Sequence, residues 1–197
     1  TNTYAADLVR AGRLFGMDGM DGIAGNLVWS GREIVVVAAN EQTAGRGRLD
    51  HTWASVPGES FIVSLVVSVP VAIVRDSSVN GWLQMIAGCE MREAIVGLNL
   101  AVAQERLPID KSTSLQLVAR NLPDAMVLRD AIAVRWVQGL RSRLADFEED
   151  PHREAVRARE AMTPICWTLG KQCEAHFVDG TTLQGRAVAL NDDASLA

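Results

Sequence analysis

The stretch that decides the fold starts as the apolar run Ile34-Val35-Val36-Val37-Ala38-Ala39 and continues as Glu41-Gln42-Thr43-Ala44-Gly45-Arg46-Gly47-Arg48-Leu49-Asp50-His51-Thr52-Trp53. A short uninterrupted apolar run that ends at polar and turn residues predicts a buried β-strand. The two glycines of the second part free the backbone to bend and to approach a ligand closely. Arg46 and Arg48 put fixed positive charge on that bend. The pattern therefore predicts a strand that feeds a positively charged loop.

The loop has the residue types that bind an anion joined to a flat ring. Backbone amides and guanidinium groups bind phosphate or carboxylate, and the indole of Trp53 can cover a ring. A solvated glycine–arginine loop explains the same residues, because short motifs also match by chance. A dinucleotide-binding turn is excluded, since no helical pattern follows the glycines. The Walker motif is excluded as well, since no Lys-Ser/Thr follows them.

A second apolar run, Ser60–Val69, ends at Pro70, which cannot donate to a sheet ladder. Strand, loop and strand together predict an antiparallel or mixed sheet with the loop across one end. Helical spacing of apolar residues predicts four helices, at Thr1–Leu14, Val79–Ile95, Leu122–Phe147 and Ala155–Met162. The fold class that follows is α+β.

Three further features complete the expected organisation of the chain. A strand-like segment, Val96–Val102, follows the second helix without a turn residue. Trp136 shares the apolar stripe of the third helix, which favours a core position over a cofactor contact. A hairpin with an Asp179-Gly180 turn marks a small β unit near the end. We therefore divide the chain into a domain over 1–163 and a smaller domain over 164–197.

Composition excludes several function classes. The chain has 197 residues, 48% apolar and 22% charged, which suits one or two globular domains. A net charge of −5 argues against binding to DNA or RNA, which needs a basic surface. No apolar run is long enough to span a membrane. Three cysteines without metal-ligand spacing predict no protein-held metal and favour a reducing cytoplasm.

Several ordered motifs resemble one known family, the biotin–protein ligases. The family signature runs Gly-Arg-Gly-Arg-x-Gly-Arg-x-Trp and then Gly-x-x-Leu-x-x-Ser. It is matched here by Gly45-Arg46-Gly47-Arg48, Trp53, Gly58 and Ser64, with further matches at Thr1-Asn2-Thr3 and Gly97-Leu98-Asn99. The resemblance is to the monofunctional type, without an N-terminal DNA-binding domain. It implies a mixed β-sheet flanked by helices, as in class II synthetases, followed by a small β-barrel.

The resemblance also implies an activity and its site. Such an enzyme activates biotin with ATP and Mg²⁺ to biotinyl-adenylate, and transfers it to a lysine of a biotin carboxyl carrier protein domain. The implied biotin-binding residues are Thr1, Asn2, Gln42, Arg46, Gly47 and Arg48, and the implied ATP-binding residues are Arg48, Trp53 and Asn99. Arg46 and Arg48 are the implied catalytic residues. Without the resemblance, Thr1 and Asn2 are equally explained as a helix cap.

Phe61 stands in place of the leucine of the second motif, which is a mild change, and the sequence departs further from the family at two places. Leu49-Asp50-His51 stands where the family has a further Gly-Arg. The Lys-Trp-Pro-Asn-Asp strand and the following Gly-Lys segment, which carry the active-site lysine, are absent. We therefore expect a missing central segment between 95 and 96. Either several tens of residues are lacking from the sequence, or the protein is a deleted, inactive form.

Two other functions stay open at this stage. The first is an inactive or truncated module that binds an acyl group, and the second is a lipoate ligase or octanoyltransferase. In the family, the carrier protein docks by extending a sheet edge, so such an edge is also a possible homodimer contact.

Overall fold

The computed structural model describes residues 1–14, 33–46, 52–53, 57–58, 60–96, 115, 119, 122–177 and 179–197. The helices are α1 Asn2–Arg10, α2 Val71–Arg75, α3 Gly81–Val96, α4 Ala125–Glu149 and α5 Pro151–Met162, followed by a 3₁₀ turn at Thr163–Ile165. The strands are β1 Ile34–Ala39, β2 Gly45–Arg46, β3 Thr52–Trp53, β4 Ile62–Val67, β5 Gln172–His176 and β6 Thr182–Arg186. Helices with small sheets confirm the α+β class.

The sheets of the first part pair as the strand–loop–strand pattern predicts. β1 and β4 are antiparallel, in a register that runs from Ile34 opposite Val67 to Ala39 opposite Ile62. β2 and β3 lie between β1 and β4 in the sequence. They form a separate short antiparallel hairpin, with Gly45 opposite Trp53. All strand pairs among the described residues are antiparallel, so the mixed sheet stays a prediction.

The main core lies where α3, α4 and α5 meet. Trp82 and Ile86 of α3 are fully buried, and so is Phe147 of α4. Partly buried residues of the β1–β4 sheet, among them Leu65, pack against this cluster. The predicted stripe of α3 is confirmed at Ile86, because a helix with one apolar face buries that face against its neighbours. None of the described helices is both long and apolar enough to cross a membrane.

Several predicted boundaries were wrong. α1 ends at Arg10 rather than Leu14, and α5 begins at Pro151 rather than Ala155. α4 begins at Ala125, because Asp124 is its N-cap and accepts a 2.9 Å hydrogen bond from the Met126 amide. Pro123 therefore precedes the helix, and Leu122 cannot join it easily, since a residue before proline is disfavoured in the helical region. α3 runs through Val96, so the predicted strand does not begin there. The remaining positions of that strand, 97–102, lie outside the described residues.

The join between Ile95 and Val96 lies inside α3. A change from helix to strand at this join would need a turn residue. A helix that continues through the join needs none. The absence of turn chemistry at this point is therefore no longer a reason to place a deletion there. The lack of the family's lysine segment remains, because it follows from the sequence alone.

The predicted hairpin near the end of the chain is confirmed. β5 and β6 are antiparallel, from Gln172 opposite Arg186 to His176 opposite Thr182. Asp179 shapes the turn, because its carboxylate accepts hydrogen bonds from the Thr181 amide and hydroxyl, at 2.9 and 2.6 Å. The predicted small barrel was wrong for the described part of 164–197. Two strands and one isolated bridge are too few to close a barrel.

The last residues of the sequence fold back onto the start of α3. The Trp82 indole donates a 2.6 Å hydrogen bond to the Asp192 carbonyl, and Arg159 pairs with the Asp192 carboxylate. Leu190 and Ala194 belong to the main core cluster. The end of the predicted second domain is therefore packed into the same core as α3, α4 and α5.

This packing requires a glycine at position 81. A Cβ added there would overlap the Asp193 carbonyl oxygen, whereas one added at Gly88 of the same helix meets nothing within 4 Å. We expect Gly81→Ala to lower the free energy of unfolding by about 1–3 kcal/mol through overpacking. We expect Gly88→Ala to raise it by about 1 kcal/mol through helix propensity. Urea unfolding of both variants measures the difference, and equal effects would contradict the docking.

Candidate functional site

Ser64 brings two separate parts of the family signature together. Its hydroxyl hydrogen-bonds with Thr1 Oγ1 at 2.6 Å and with Asn2 Oδ1, across 63 and 62 residues of sequence. The Asn2 oxygen can only accept, and a hydroxyl has one proton. When Ser64 donates to Asn2, the Thr1 hydroxyl therefore donates to Ser64. The result is a part-buried polar cluster, Thr1–Asn2–Ser64, between the start of α1 and β4.

The cap interpretation of Thr1 was wrong for its side chain. Thr1 is the N-cap of α1, but its side chain makes no cap hydrogen bond. The hydroxyl contacts Ser64 instead. The first backbone amides of a helix have no intrahelical partner, and those of α1 lie beside this cluster, which suits a carbonyl or anionic oxygen of a ligand.

The end of β1, from which the chain continues to the arginine-bearing hairpin, lies close to this cluster. Ser64 lies two residues along β4 from Ile62, about 7 Å at the usual strand rise. Ile62 pairs with Ala39, after which the chain leaves β1 for the hairpin. At the base of the hairpin the Gly58 amide donates a 2.9 Å hydrogen bond to the Asn40 carbonyl. Gly58 has a φ of +79°, a conformation that glycine adopts without strain.

The predicted site residues fall into three groups. Thr1 and Asn2 meet at Ser64, and Gln42 is half-buried on the segment between β1 and β2. Arg46 and Trp53 lie on β2 and β3, where the structure describes only the backbone. Gly47, Arg48 and Asn99 lie outside the described residues. The ligand-binding roles of all three groups stay predictions.

Contacts from α4 to this region were missed by the sequence analysis. Arg129 Nη2 donates a 3.0 Å hydrogen bond to Asn40 Oδ1, 89 residues away. The ring of Trp136 lies 6.2 Å from that of Phe61, just before β4, and its Nε1 donates to the Ala87 carbonyl at 2.9 Å. Trp136 therefore packs between elements, but it is only half-buried and lies outside the main core cluster, so the predicted core position is not reached. Nothing in the sequence spacing marks Arg129.

A second polar cluster joins the three core helices. Glu154 of α5 is fully buried, and its Oε1 lies 2.7 Å from Arg143 Nη2 of α4. Glu90 Oε1 of α3 lies 3.8 Å from Arg143 Nε, so two carboxylates share one partly buried guanidinium. Burial raises the pKa of Glu90, while the Arg143 charge opposes that shift. Glu90 therefore holds its proton more tightly in the folded protein than in the unfolded chain.

This pKa shift predicts a pH-dependent stability. Between the ordinary Glu90 pKa of 4.5 and its raised folded value, the folded state binds more protons than the unfolded state. The free energy of unfolding therefore falls as pH rises through that window. We expect Glu90→Gln to remove this loss, so that the variant gains stability relative to wild type at neutral pH but not in acid.

Urea unfolding at about pH 4 and about pH 7.5 tests this expectation. Glu93→Gln is the matched control, because the Glu93 side chain on the same helix is 59% exposed. Its stability difference from wild type should be nearly the same at both pH values. A Glu90→Gln difference that does not grow with pH would contradict the assignment.

The described residues include no group of three His, Cys, Asp or Glu side chains placed to hold a metal ion. The resemblance implies Mg²⁺, with Asn99 near the phosphates or the ion, and Asn99 lies outside the described residues. The magnesium assignment stays a prediction.

The comparisons with known proteins add no family to these observations. A functional assignment therefore depends on the residues of this chain and on the contacts that they make. No protein-family model matches the chain, and no match was found among the curated proteins.

Proposed function

We propose that this protein is a biotin–protein ligase. It activates biotin with ATP and transfers the biotinyl group to a lysine of a biotin carboxyl carrier protein domain. The contact of Ser64 with Thr1 and Asn2 is the observation that supports this most. Matches that arise by chance have no reason to meet in the fold, whereas motifs that serve one ligand must lie together.

The polar cluster suits the head group of biotin. A cyclic urea presents two N–H donors and one carbonyl acceptor. The hydroxyls of Thr1 and Ser64 and the amide of Asn2 supply both donors and acceptors at one place. Gln42 adds a second amide on the segment that leads to the hairpin. The start of α1 adds backbone amides for the urea oxygen.

The arginines suit the chemistry of activation. A carboxylate oxygen of biotin attacks the α-phosphorus of ATP, and the bond to pyrophosphate breaks. Two anions must approach each other, so positive groups held in place beside them lower the barrier. Arg46 and Arg48 are assigned this role. In the second step, the amine of the acceptor lysine attacks the acyl carbon and AMP leaves.

One feature favours a second candidate, a module that binds biotin or a related acyl group without catalysis. The family's active-site lysine has no counterpart in a matching segment. Lys171 is far along the chain and its Nζ lies 2.6 Å from the centroid of the Trp167 ring. Lys111 lies outside the described residues. The proposed activation therefore relies on Arg46 and Arg48 for its positive charge.

Exchange of labelled pyrophosphate into ATP separates the two candidates. We expect exchange that requires biotin, with little or none when lipoate or octanoate replaces it. Calorimetric titration with biotin is the companion measurement. Biotin binding without exchange identifies the binding module, and no biotin binding removes both candidates. Exchange with lipoate instead of biotin identifies a lipoate-type ligase.

Transfer to an acceptor is measured separately. A biotin carboxyl carrier protein domain should become labelled with biotin when ATP is present. The same domain with its acceptor lysine replaced by arginine is the control, since a guanidinium does not act as an amine nucleophile at neutral pH. Equal labelling of both domains would contradict transfer to that lysine.

A further inference from the structure

We propose that Arg129 is a positioning residue, which sets the orientation of the β2–β3 hairpin through Asn40. The inference rests on the proposed function, because that function gives the hairpin its task. The Arg129 guanidinium donates to Asn40 Oδ1 at 3.0 Å, and Arg129 is half-buried on α4. Neither residue belongs to any motif that the sequence analysis identified.

Asn40 is well placed to control the hairpin. It directly follows the last residue of β1 and precedes Gln42 by two positions. Its backbone carbonyl accepts from the Gly58 amide at 2.9 Å, and its side chain accepts from Arg129. Asn40 therefore links the two ends of the loop between β1 and β4, at Asn40 and Gly58, to each other. It also links both ends to α4 through Arg129.

α4 is a rigid support for this contact. Its start is capped by Asp124, and Ile132 and Leu140 are buried along it. It also reaches the other side of the loop, where Trp136 contacts Phe61 just before β4. The helix thus contacts the chain at the residue that leaves β1 and at the residue that enters β4. A charged donor to a neutral acceptor makes a stronger bond than a neutral pair.

Loss of this contact changes the position of the hairpin relative to the Thr1–Asn2–Ser64 cluster. Catalytic groups displaced by about 1 Å can lower a rate by about 10²-fold. We therefore expect Arg129→Met to lower biotin-dependent pyrophosphate exchange by roughly 10- to 100-fold. The same substitution at Arg135, an exposed residue of α4, is the matched control and should leave the exchange rate unchanged.

Two readouts distinguish positioning from a general loss of structure. Asn40→Ala should lower the exchange rate as Arg129→Met does, and the double variant should lose little more, because the residues act as a unit. Arg129→Lys keeps one donor and should recover part of the rate. Additive losses in the double variant, or a normal rate in Arg129→Met, would overturn the inference.

A third readout does not depend on catalysis. Hydrogen exchange of the Gly58 amide, followed by NMR, reports the bond to the Asn40 carbonyl directly. We expect Arg129→Met to speed this exchange roughly tenfold and to leave the core amides of α3 unchanged. If wild type shows no biotin-dependent pyrophosphate exchange, the proposed function fails and this measurement still decides the inference. An unchanged Gly58 exchange rate overturns it in either case.

Discussion

Replacing both Arg46 and Arg48 by glutamine is expected to lower the rate of biotinyl-adenylate formation by about 10²- to 10³-fold or more. This range is what removal of a single charge-stabilising donor costs at an acyl-transfer site, so it is a lower bound for two arginines. The reaction brings a carboxylate against a phosphate, and the repulsion between them is greatest in the transition state. Glutamine keeps hydrogen-bonding groups but carries no charge. The loss therefore measures the charge itself rather than the shape of the loop.

Single-turnover adenylate formation with saturating biotin and ATP separates the rate of the chemical step from binding. A double variant with Arg135 and Arg141 replaced by glutamine is the control, because both are exposed on α4 and carry the same total charge. It should react at the wild-type rate. A rate for Arg46→Gln/Arg48→Gln within twofold of wild type would end the ligase proposal, and equal losses in both double variants would show a non-specific effect of net charge.

The largest expected effect on stability is that of Trp82→Ala. Trp82 is 0% exposed in the main core, and its indole N–H also donates a hydrogen bond to the Asp192 carbonyl. Removal of so large a buried side chain costs about 3–5 kcal/mol, through lost burial and the cavity that remains. The unpaired Asp192 carbonyl adds to this loss only if it stays away from water.

Three tryptophan variants separate these contributions by urea unfolding. Trp82→Phe keeps most of the ring but loses the donor, so its loss should be smaller, about 1–3 kcal/mol. Trp167→Ala is the matched control, because Trp167 is 82% exposed, and its effect should stay within about 0.5 kcal/mol. If Trp82→Ala were as mild as Trp167→Ala, the chain would not pack its last residues against α3 as described.

The local elements were predictable because their causes are local. The apolar runs of β1 and β4 form strands, and the Asp179-Gly180 turn forms a hairpin, since turn chemistry depends on a few neighbouring residues. The helix boundaries were predicted less well, because capping residues and helix continuation decide where a helix starts and ends, and apolar periodicity does not report them. Asp124 caps α4 after Pro123, and α3 continues through Val96 although that residue favours strands. The barrel expectation came from the resemblance, and the described strands do not close one.

The candidate site shows a different limit. Short motifs identified Thr1, Asn2, Gln42 and the arginine loop, because ligand contacts are concentrated in a few residues of recognisable type. They did not show that Ser64 contacts both Thr1 and Asn2, or that Arg129 reaches Asn40. These contacts join residues 62 or more positions apart. No periodicity records such a pairing.

The sequence by itself determined the two longer strands β1 and β4, most of the helices, the Asp179-Gly180 turn and the chemical character of the loop. It did not predict the short strands β2 and β3, which lie in the segment predicted as loop. Those depend on side-chain periodicity and backbone preference over a few residues, which any stretch of chain carries with it. Only the tertiary structure decided which polar groups meet. The packing of α1 on β4 places Ser64 against the start of α1, and the packing of α4 places Arg129 at Asn40. Register and packing follow from burial summed over the whole chain, which no single motif contains.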